Sequence, residues 1–145
     1  MTHAFSVPGR YDQVAIVCQF VVAGAEQSGF GIDEIFQIEL ACDEACTNII
    51  EHAYGGEEKG EIQVTWDFSS GAFTITIVDE GRPFDPDEVP KPMIPADPDN
   101  IDNLQIGGLG IHFMRKLMDE VHFQMDDKKG NRLVMVKYIS ESEQQ

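Results

Sequence analysis

Six of the chain's seven prolines fall between Pro83 and Pro98, with acidic residues interleaved among them. Proline lacks a backbone N–H and resists helix formation, so this stretch predicts a long irregular loop. Such loops within compact domains are uncommon and tend to be lids, binding loops or disordered inserts. The loop closes at Gly107 and divides the chain into two regularly patterned parts.

Both parts carry the hydrophobic periodicities of regular secondary structure. Apolar residues at helical spacing predict helices over residues 11–27, 34–53 and 108–118, with Asp33 as the N-cap of the second helix. Alternating residues predict an edge strand over 2–7 and two hairpins, 61–68 with 72–79 and 121–125 with 133–139. With 145 residues and no internal repeat, the chain is expected to form one α+β domain spanning 1–145.

The charge is strongly acidic: 26 Asp and Glu residues against 10 Lys and Arg give a formal net charge of −16. This surface would repel nucleic-acid backbones and anionic membranes, so neither is expected as a direct partner. It favours a basic protein partner, or an anionic ligand held by something other than a basic pocket. No apolar run approaches the roughly 18–20 residues of a spanning helix, and the N-terminus lacks a signal-peptide layout. We therefore expect a cytoplasmic protein.

The three cysteines are Cys18, Cys42 and Cys46. The last two are four residues apart and could share a helix face, which raises zinc or a redox pair as alternatives. No further Cys or His lies at the spacing of a closed zinc site, so small buried side chains in a reducing compartment are the simpler interpretation.

The second predicted helix carries Glu44 and Asn48 on one face, four residues apart. A solvated helix face is one interpretation of this polar line. The alternative is a site, because Asn is a poor helix former and an amide oxygen beside a carboxylate suits Mg²⁺. The carboxylate could also be a general base.

A second candidate is Asp79, which ends an apolar strand and is followed by Gly81. A carboxylate at a strand end can accept a hydrogen bond from an amino group such as that of adenine, and the glycine allows close approach of a flat ring. A simple turn leaving the strand is the alternative.

The third candidate is the run Gly107-Gly108-Leu109-Gly110, which opens the third predicted helix. Backbone N–H groups at a helix N-terminus favour phosphate, so an acidic protein could bind phosphates there without a basic pocket. The run fits neither a Rossmann nor a Walker pattern, and alone it is weak.

Taken in order, the three candidates resemble the motif boxes of the GHKL ATPases, and more narrowly those of the anti-sigma-factor serine kinases. The stretch 44–54 resembles their N box, 79–86 their G1 box and 108–121 their G2 box. The resemblance implies a Bergerat-type two-layer sandwich, with three helices packed on one face of a mixed, mostly antiparallel sheet. It also implies that the loop of about 85–106 is an ATP lid.

The resemblance further implies a role for each motif residue. Glu44 would be the general base, Asn48 the Mg²⁺ ligand and Asp79 the reader of adenine. The implied nucleotide contacts are Asn48, Asp79, Gly81, Phe84, Gly107, Gly108, Leu109 and Gly110. ATP and Mg²⁺ are the expected cofactors, and a sigma factor, an anti-sigma-factor antagonist and a second copy of the chain the expected protein partners.

Two residues depart from the family's pattern. Pro83 stands where the broader superfamily often has a second glycine, and Ile106 stands where a basic residue would precede the glycine run. The expected function is an ATP-dependent serine/threonine kinase that phosphorylates the antagonist and sequesters the sigma factor. A non-catalytic module, whose partner affinity is gated by ATP, is the alternative. The ATP-binding half of a sensor histidine kinase is a third, disfavoured because few residues precede the first helix.

Overall fold

The computed structural model describes residues 3–86 and 106–140 of the chain. Within these residues, strands form where buried and solvent-facing side chains alternate. The strands are β1 (His3–Pro8), β2 (Glu61–Ser69), β3 (Ala72–Asp79), β4 (Glu120–Asp126) and β5 (Gly130–Tyr138). They make one sheet in the order β1-β2-β3-β5-β4, and every pairing among these strands is antiparallel. The expected mixed sheet is therefore corrected to an antiparallel one in the described residues.

The helices are α1 (Tyr11–Ser28), α2 (Ile32–Asn48) and α3 (Ile106–Leu117). After Asn48 the chain stays helical but widens into a single π-helical turn, Ile49–Ala53, in which the Tyr54 N–H donates to the Ile49 carbonyl at 2.9 Å. Turns of this kind occur frequently at functional sites. The predicted helix over 34–53 is thus an α-helix followed by a π turn.

Two helix starts differ from the predictions. Gly31 is the N-cap of α2, with extended backbone, while Asp33 lies in the first turn. The predicted Asp33 cap is wrong, although its carboxylate there still interacts favourably with the helix dipole. The third helix begins at Ile106, so Gly107 lies within its first turn and does not end the preceding loop.

The core lies between the helices and one face of the sheet. Alternate residues of β2 and β3 point into it, including Ile62, Val64, Ile75 and Ile77. Trp66 and Phe73 are both buried in this core and stack at 5.5 Å between ring centroids. The resulting α+β fold is the expected one.

All three cysteines are buried and free, as the simpler interpretation predicted. Contact with the Cys18 and Cys46 thiols, together with burial, raises the pKa of the Cys42 thiol well above its usual range. Such a thiol is a weak nucleophile, so the cluster serves packing between α1 and α2.

Most of the predicted lid, residues 87–105, lies outside the described residues. In the part of the chain that the structure describes, no helix is long and apolar enough to cross a membrane.

Candidate functional site

The site begins where β3 ends beside the start of β5. Asp79 and Asn131 are direct cross-strand partners in this antiparallel pair. Both are almost completely buried, with exposed fractions of 2% and 3%. Asp79 Oδ1 accepts hydrogen bonds from the Gly81 N–H at 2.8 Å and from Asn131 Nδ2 at 2.9 Å. Burial raises the pKa of Asp79, and these two donors oppose the rise by stabilising the carboxylate.

Two glycines allow this close arrangement. A Cβ on Gly130, whose φ is +84°, would lie 2.2 Å from the Asp79 carbonyl oxygen, so no other residue fits here unchanged. A Cβ on Gly81 would lie 2.6 Å from the Ala53 carbonyl group at the end of the π turn. Next to Gly81, the Arg82 N–H donates to the same Ala53 carbonyl at 2.9 Å. The strand end and the helix end are therefore joined by direct backbone contact.

Asn48 stands at the end of α2, with an exposed fraction of 2%. Its Nδ2 donates to the Glu44 carbonyl at 2.8 Å, one helical turn back. Its Oδ1 is buried and has no hydrogen-bond donor among the described residues. A buried acceptor left without a donor is costly, which indicates a bound group that the amide oxygen would contact.

Glu44 is half-buried, and its Oε2 likewise has no donor among the described residues. Burial above all, with the nearby negative charges of Asp43 and Glu51, raises the pKa of this carboxyl to about 7. A carboxyl with a pKa near neutrality is suited to accept and release a proton at physiological pH. The predicted polar line is therefore only partly a solvated face.

The cavity between these elements is small: a water-sized sphere can enter about 10 Å³ of it, and the empty space around this, part of it open to solvent, is about 280 Å³. Asn48, Asp79 and Asn131 supply its buried polar groups, while Phe84 and Met114 are among its apolar walls. Arg132 is the one Lys or Arg side chain among its described lining residues. Mostly apolar walls with a few convergent polar groups are typical of a small-molecule site.

The structure brings together three of the predicted site residues, Asn48, Asp79 and Phe84, at this one cavity. Glu44 lies one turn before Asn48, and Gly81 packs against the π turn. Gly107, Gly108, Leu109 and Gly110 form the backbone of the first turn of α3. The individual roles of all these residues stay predictions.

His52 lies within the same π turn, and its contacts are those of a packing residue. Its ring lies 5.6 Å from the Phe84 ring between centroids, and its carbonyl accepts a hydrogen bond from Arg82 Nε at 3.2 Å. These contacts link the π turn to the segment that follows β3, as a packing role requires.

Sequence reasoning missed two residues. Asn131 was treated as part of a turn, although Asn is depleted in strands and its presence at a strand start was a usable signal. Tyr54 was quoted only within the motif. Its hydroxyl donates to the Glu61 carbonyl at 2.5 Å and accepts from the Glu80 N–H at 3.0 Å, which fixes the end of β3.

Comparison with known proteins shows which family has this arrangement. A family model described as histidine kinase-like ATPase domain matches residues 7–137. Serine-protein kinase RsbW of Bacillus velezensis is 34% identical over 135 residues, covering 92% of this chain and 83% of the relative. Serine-protein kinase RsbW of Bacillus subtilis is 33% identical over 135 residues, with the same coverage.

A solved structure has the same fold. It contains the RsbU and RsbW domains of a Mycobacterium tuberculosis protein and superposes with a TM-score of 0.69 at 15% identity. The match covers 97% of this chain but only 33% of that longer one. At this identity the likeness concerns the fold alone. The family model and the sequence relatives, in contrast, establish membership of a family. The chain belongs to the histidine kinase-like ATPase domain family, in the group of the RsbW serine-protein kinases.

Proposed function

We propose that this chain transfers the γ-phosphoryl group of ATP to a serine or threonine of an anti-sigma-factor antagonist, and that it sequesters a sigma factor. The observation that carries the proposal is a set of three buried oxygens without a donor: those of Asn48 and Asn131 at the cavity, and that of Glu44 one helical turn before Asn48. Family membership makes ATP the nucleotide of this fold. The individual residue roles given below are our assignments.

Adenine would be read at the buried end of the cavity. Asp79 Oδ1 is already occupied by two donors, which leaves Oδ2 to accept a hydrogen bond from the base amino group. Phe84 would pack against the base from the cavity wall. The backbone N–H groups of Gly107, Gly108, Leu109 and Gly110 would face the phosphates, since the first N–H groups of a helix have no partner within it.

The residues present fit a magnesium ion. Asn48 Oδ1 is a hard, buried oxygen without a donor, and Glu44 lies one turn away. No group of three or more His, Cys, Asp or Glu side chains in the described ranges is arranged to hold a metal ion. The Asn48 and Glu44 oxygens suit Mg²⁺, which is commonly held by one or two protein oxygens together with substrate phosphates. When bound, the ion would neutralise phosphate charge that an acidic protein otherwise repels.

Glu44 would serve as the general base. Its pKa of about 7 leaves a substantial carboxylate fraction at neutral pH, and this form can accept the proton of an incoming hydroxyl. The hydroxyl oxygen then bonds to the γ-phosphorus as the bond to the β–γ bridging oxygen breaks, which releases ADP. Such transfers need mainly positioning and charge neutralisation, so few protein groups are required.

The protein partners would meet an acidic surface that has an apolar element. On α2, Ile32 and Phe36 lie four residues apart and are 83% and 64% exposed. Asp33 and Asp43 on the same helix are exposed as well. We propose that this α2 face, defined by Ile32 and Phe36, contacts a basic sigma factor in the cytoplasm. Neither nucleic acid nor membrane would be a direct partner; a second copy of the chain would complete a homodimer.

The deciding experiment is phosphoryl transfer from radiolabelled ATP to purified candidate antagonists, with wild type and Glu44→Gln. The variant keeps size and hydrogen bonding but removes the base, so transfer should fall roughly 10²–10⁴-fold while Mg·ATP binding stays near wild type. Equal rates would exclude Glu44 as the base. If neither protein phosphorylates an antagonist and both bind a sigma factor only with ATP, the chain is an ATP-gated module.

A further inference from the structure

Lys137 places a positive charge in the interior of the protein. It lies on β5 opposite Phe73 of β3, on the side of the sheet that faces the helices, and is 9% exposed. Lysine is rarely this buried unless its ammonium group has partners. Its Nζ donates to Gln37 Oε1 at 2.6 Å and to the Leu117 carbonyl at 2.5 Å. Both acceptors are uncharged, so the lysine joins other elements of the fold to β5 without an ion pair to either of them.

One of these elements is the C-terminus of α3. Leu117 is the last residue of that helix, and the last four carbonyls of a helix have no donor within it. A cation at this end also interacts favourably with the helix dipole. Arg115 and Lys116 lie in the same last turn, but they belong to the helix and move with it. Lys137 reaches the helix end from the sheet and therefore fixes its position.

The other element is α2. Gln37 lies about two helical turns before Glu44 on this helix. Asn48 of α2 and Met114 of α3 line the same cavity, so a shift of one helix against the other changes the site directly. The apolar contacts in the core are non-directional and permit small shifts. Hydrogen bonds depend on distance and angle, so the two bonds of the Lys137 ammonium group oppose such a shift.

We propose that Lys137 is a positioning residue for phosphate binding: it holds the C-terminal end of α3 against α2 and thereby sets where the first turn of α3 lies relative to Asn48. This inference rests on the proposed function, because it assumes that the phosphates meet the N–H groups of that turn. The helix runs from Ile106 to Leu117, so its first turn lies roughly 16 Å from the capped end. Lys137 therefore acts through the helix and does not touch the nucleotide.

This position predicts a selective effect on ligand binding. Asp79, at the other end of the site, is held by Gly81 and Asn131, and none of these three residues belongs to α2 or α3. Loss of the Lys137 hydrogen bonds should displace the phosphate-binding turn and leave the base-binding end in place. Affinity for ATP should then fall, while affinity for adenosine, which has no phosphate, should not. A merely structural residue would affect both ligands alike.

The test measures the affinities of the full chain for ATP and adenosine, with Mg²⁺ present, by displacement of a fluorescent ATP analogue. Lys137→Met keeps the apolar stem of the side chain and removes its charge and hydrogen bonds. The matched control is Lys116→Met, which removes an exposed cation from the last turn of α3. We expect Lys137→Met to weaken ATP about tenfold and adenosine by less than about twofold, and the control to change neither affinity by more than about twofold.

An equal loss for ATP and adenosine, or an unchanged affinity for ATP, would overturn the inference. Failure of wild type to bind Mg·ATP at all would instead refute the proposed function. If Lys137→Met does not fold, Gln37→Leu is the second variant, because it removes the acceptor on α2 and keeps the bond to Leu117. It should weaken ATP by about threefold and leave adenosine unchanged, and wild-type affinity for ATP in this variant would count against the proposal.

Discussion

Ionised Glu44 should destabilise the folded protein, and Glu44→Gln should therefore stabilise it at alkaline pH. The pKa of this carboxyl rises from 4.5 to about 7 in the folded state. At about 1.4 kcal/mol per tenfold change in proton affinity, the unscreened effect on the free energy of unfolding would be roughly 3 kcal/mol. Because Glu44 is only half-buried, solvent screens part of this, and we expect about 1–2 kcal/mol.

The direction follows from proton linkage. Between pH 4.5 and 7 the folded state binds more protons at this site than the unfolded state does, so stability falls as pH rises. Below pH 4.5 the carboxyl is protonated in both states and costs nothing. Above pH 7 the carboxyl is ionised in both states, and the free energy of unfolding is lowered by the full amount. The glutamine variant lacks this dependence, while Asp79, whose pKa is also raised, is present in both proteins and cancels in the difference.

The assay is urea denaturation followed by circular dichroism at a series of pH values, without nucleotide and with a chelator present. Glu44→Gln should match wild type near pH 4 and exceed it by about 1–2 kcal/mol at pH 8. Asp43→Asn is the matched control, because it removes an adjacent but exposed charge. A difference that does not vary with pH, or one that the control reproduces in full, would refute the reasoning.

Two other predictions concern binding. Asp79→Asn should weaken ATP by about 1–3 kcal/mol in calorimetry, because a charged buried acceptor is lost; unchanged affinity would remove Asp79 from base recognition. Phe36→Ser should weaken sigma-factor binding by about 1–2 kcal/mol in a pull-down titration and leave ATP affinity unchanged. Ile16→Ser, which removes another exposed apolar side chain, is its control, and an equal loss in both variants would argue against the α2 face.

The elements of the fold could be predicted because their signals are local. Alternation over β2 and β3 and helical spacing over α1 place the core side chains without any knowledge of their partners. The predicted start of α2 is wrong by two residues, because glycine and aspartate are both acceptable N-cap residues. The extended backbone of Gly31 shows that it, and not Asp33, is the N-cap. The π turn after Asn48 has no comparable sequence signal.

The site was predictable only in part, since its decisive contacts are distant in sequence. Asp79 and Asn131 are 52 residues apart and meet because β3 pairs with β5 and not with β4. Spacing within one motif does not reveal that pairing. Likewise, the resemblance assigns Gly81 to the base, whereas in the structure a Cβ at this position would collide with the Ala53 backbone. Close packing against Ala53 is therefore one reason for a glycine at position 81. Its role beside the base stays a prediction.

Three buried oxygens without a donor, two at the cavity and one beside it, bear on how a protein with a charge of −16 could bind a triphosphate. Glu44 Oε2, Asn48 Oδ1 and Asn131 Oδ1 are all oxygens that accept hydrogen bonds, so none of them can be satisfied by a phosphate. Each requires a partner that carries a hydrogen or a positive charge. In the proposed function, a substrate hydroxyl would meet the need of Glu44 and a magnesium ion that of Asn48. In the same proposal the phosphates would be bound by the N–H groups of α3, so the acidic side chains need not oppose them.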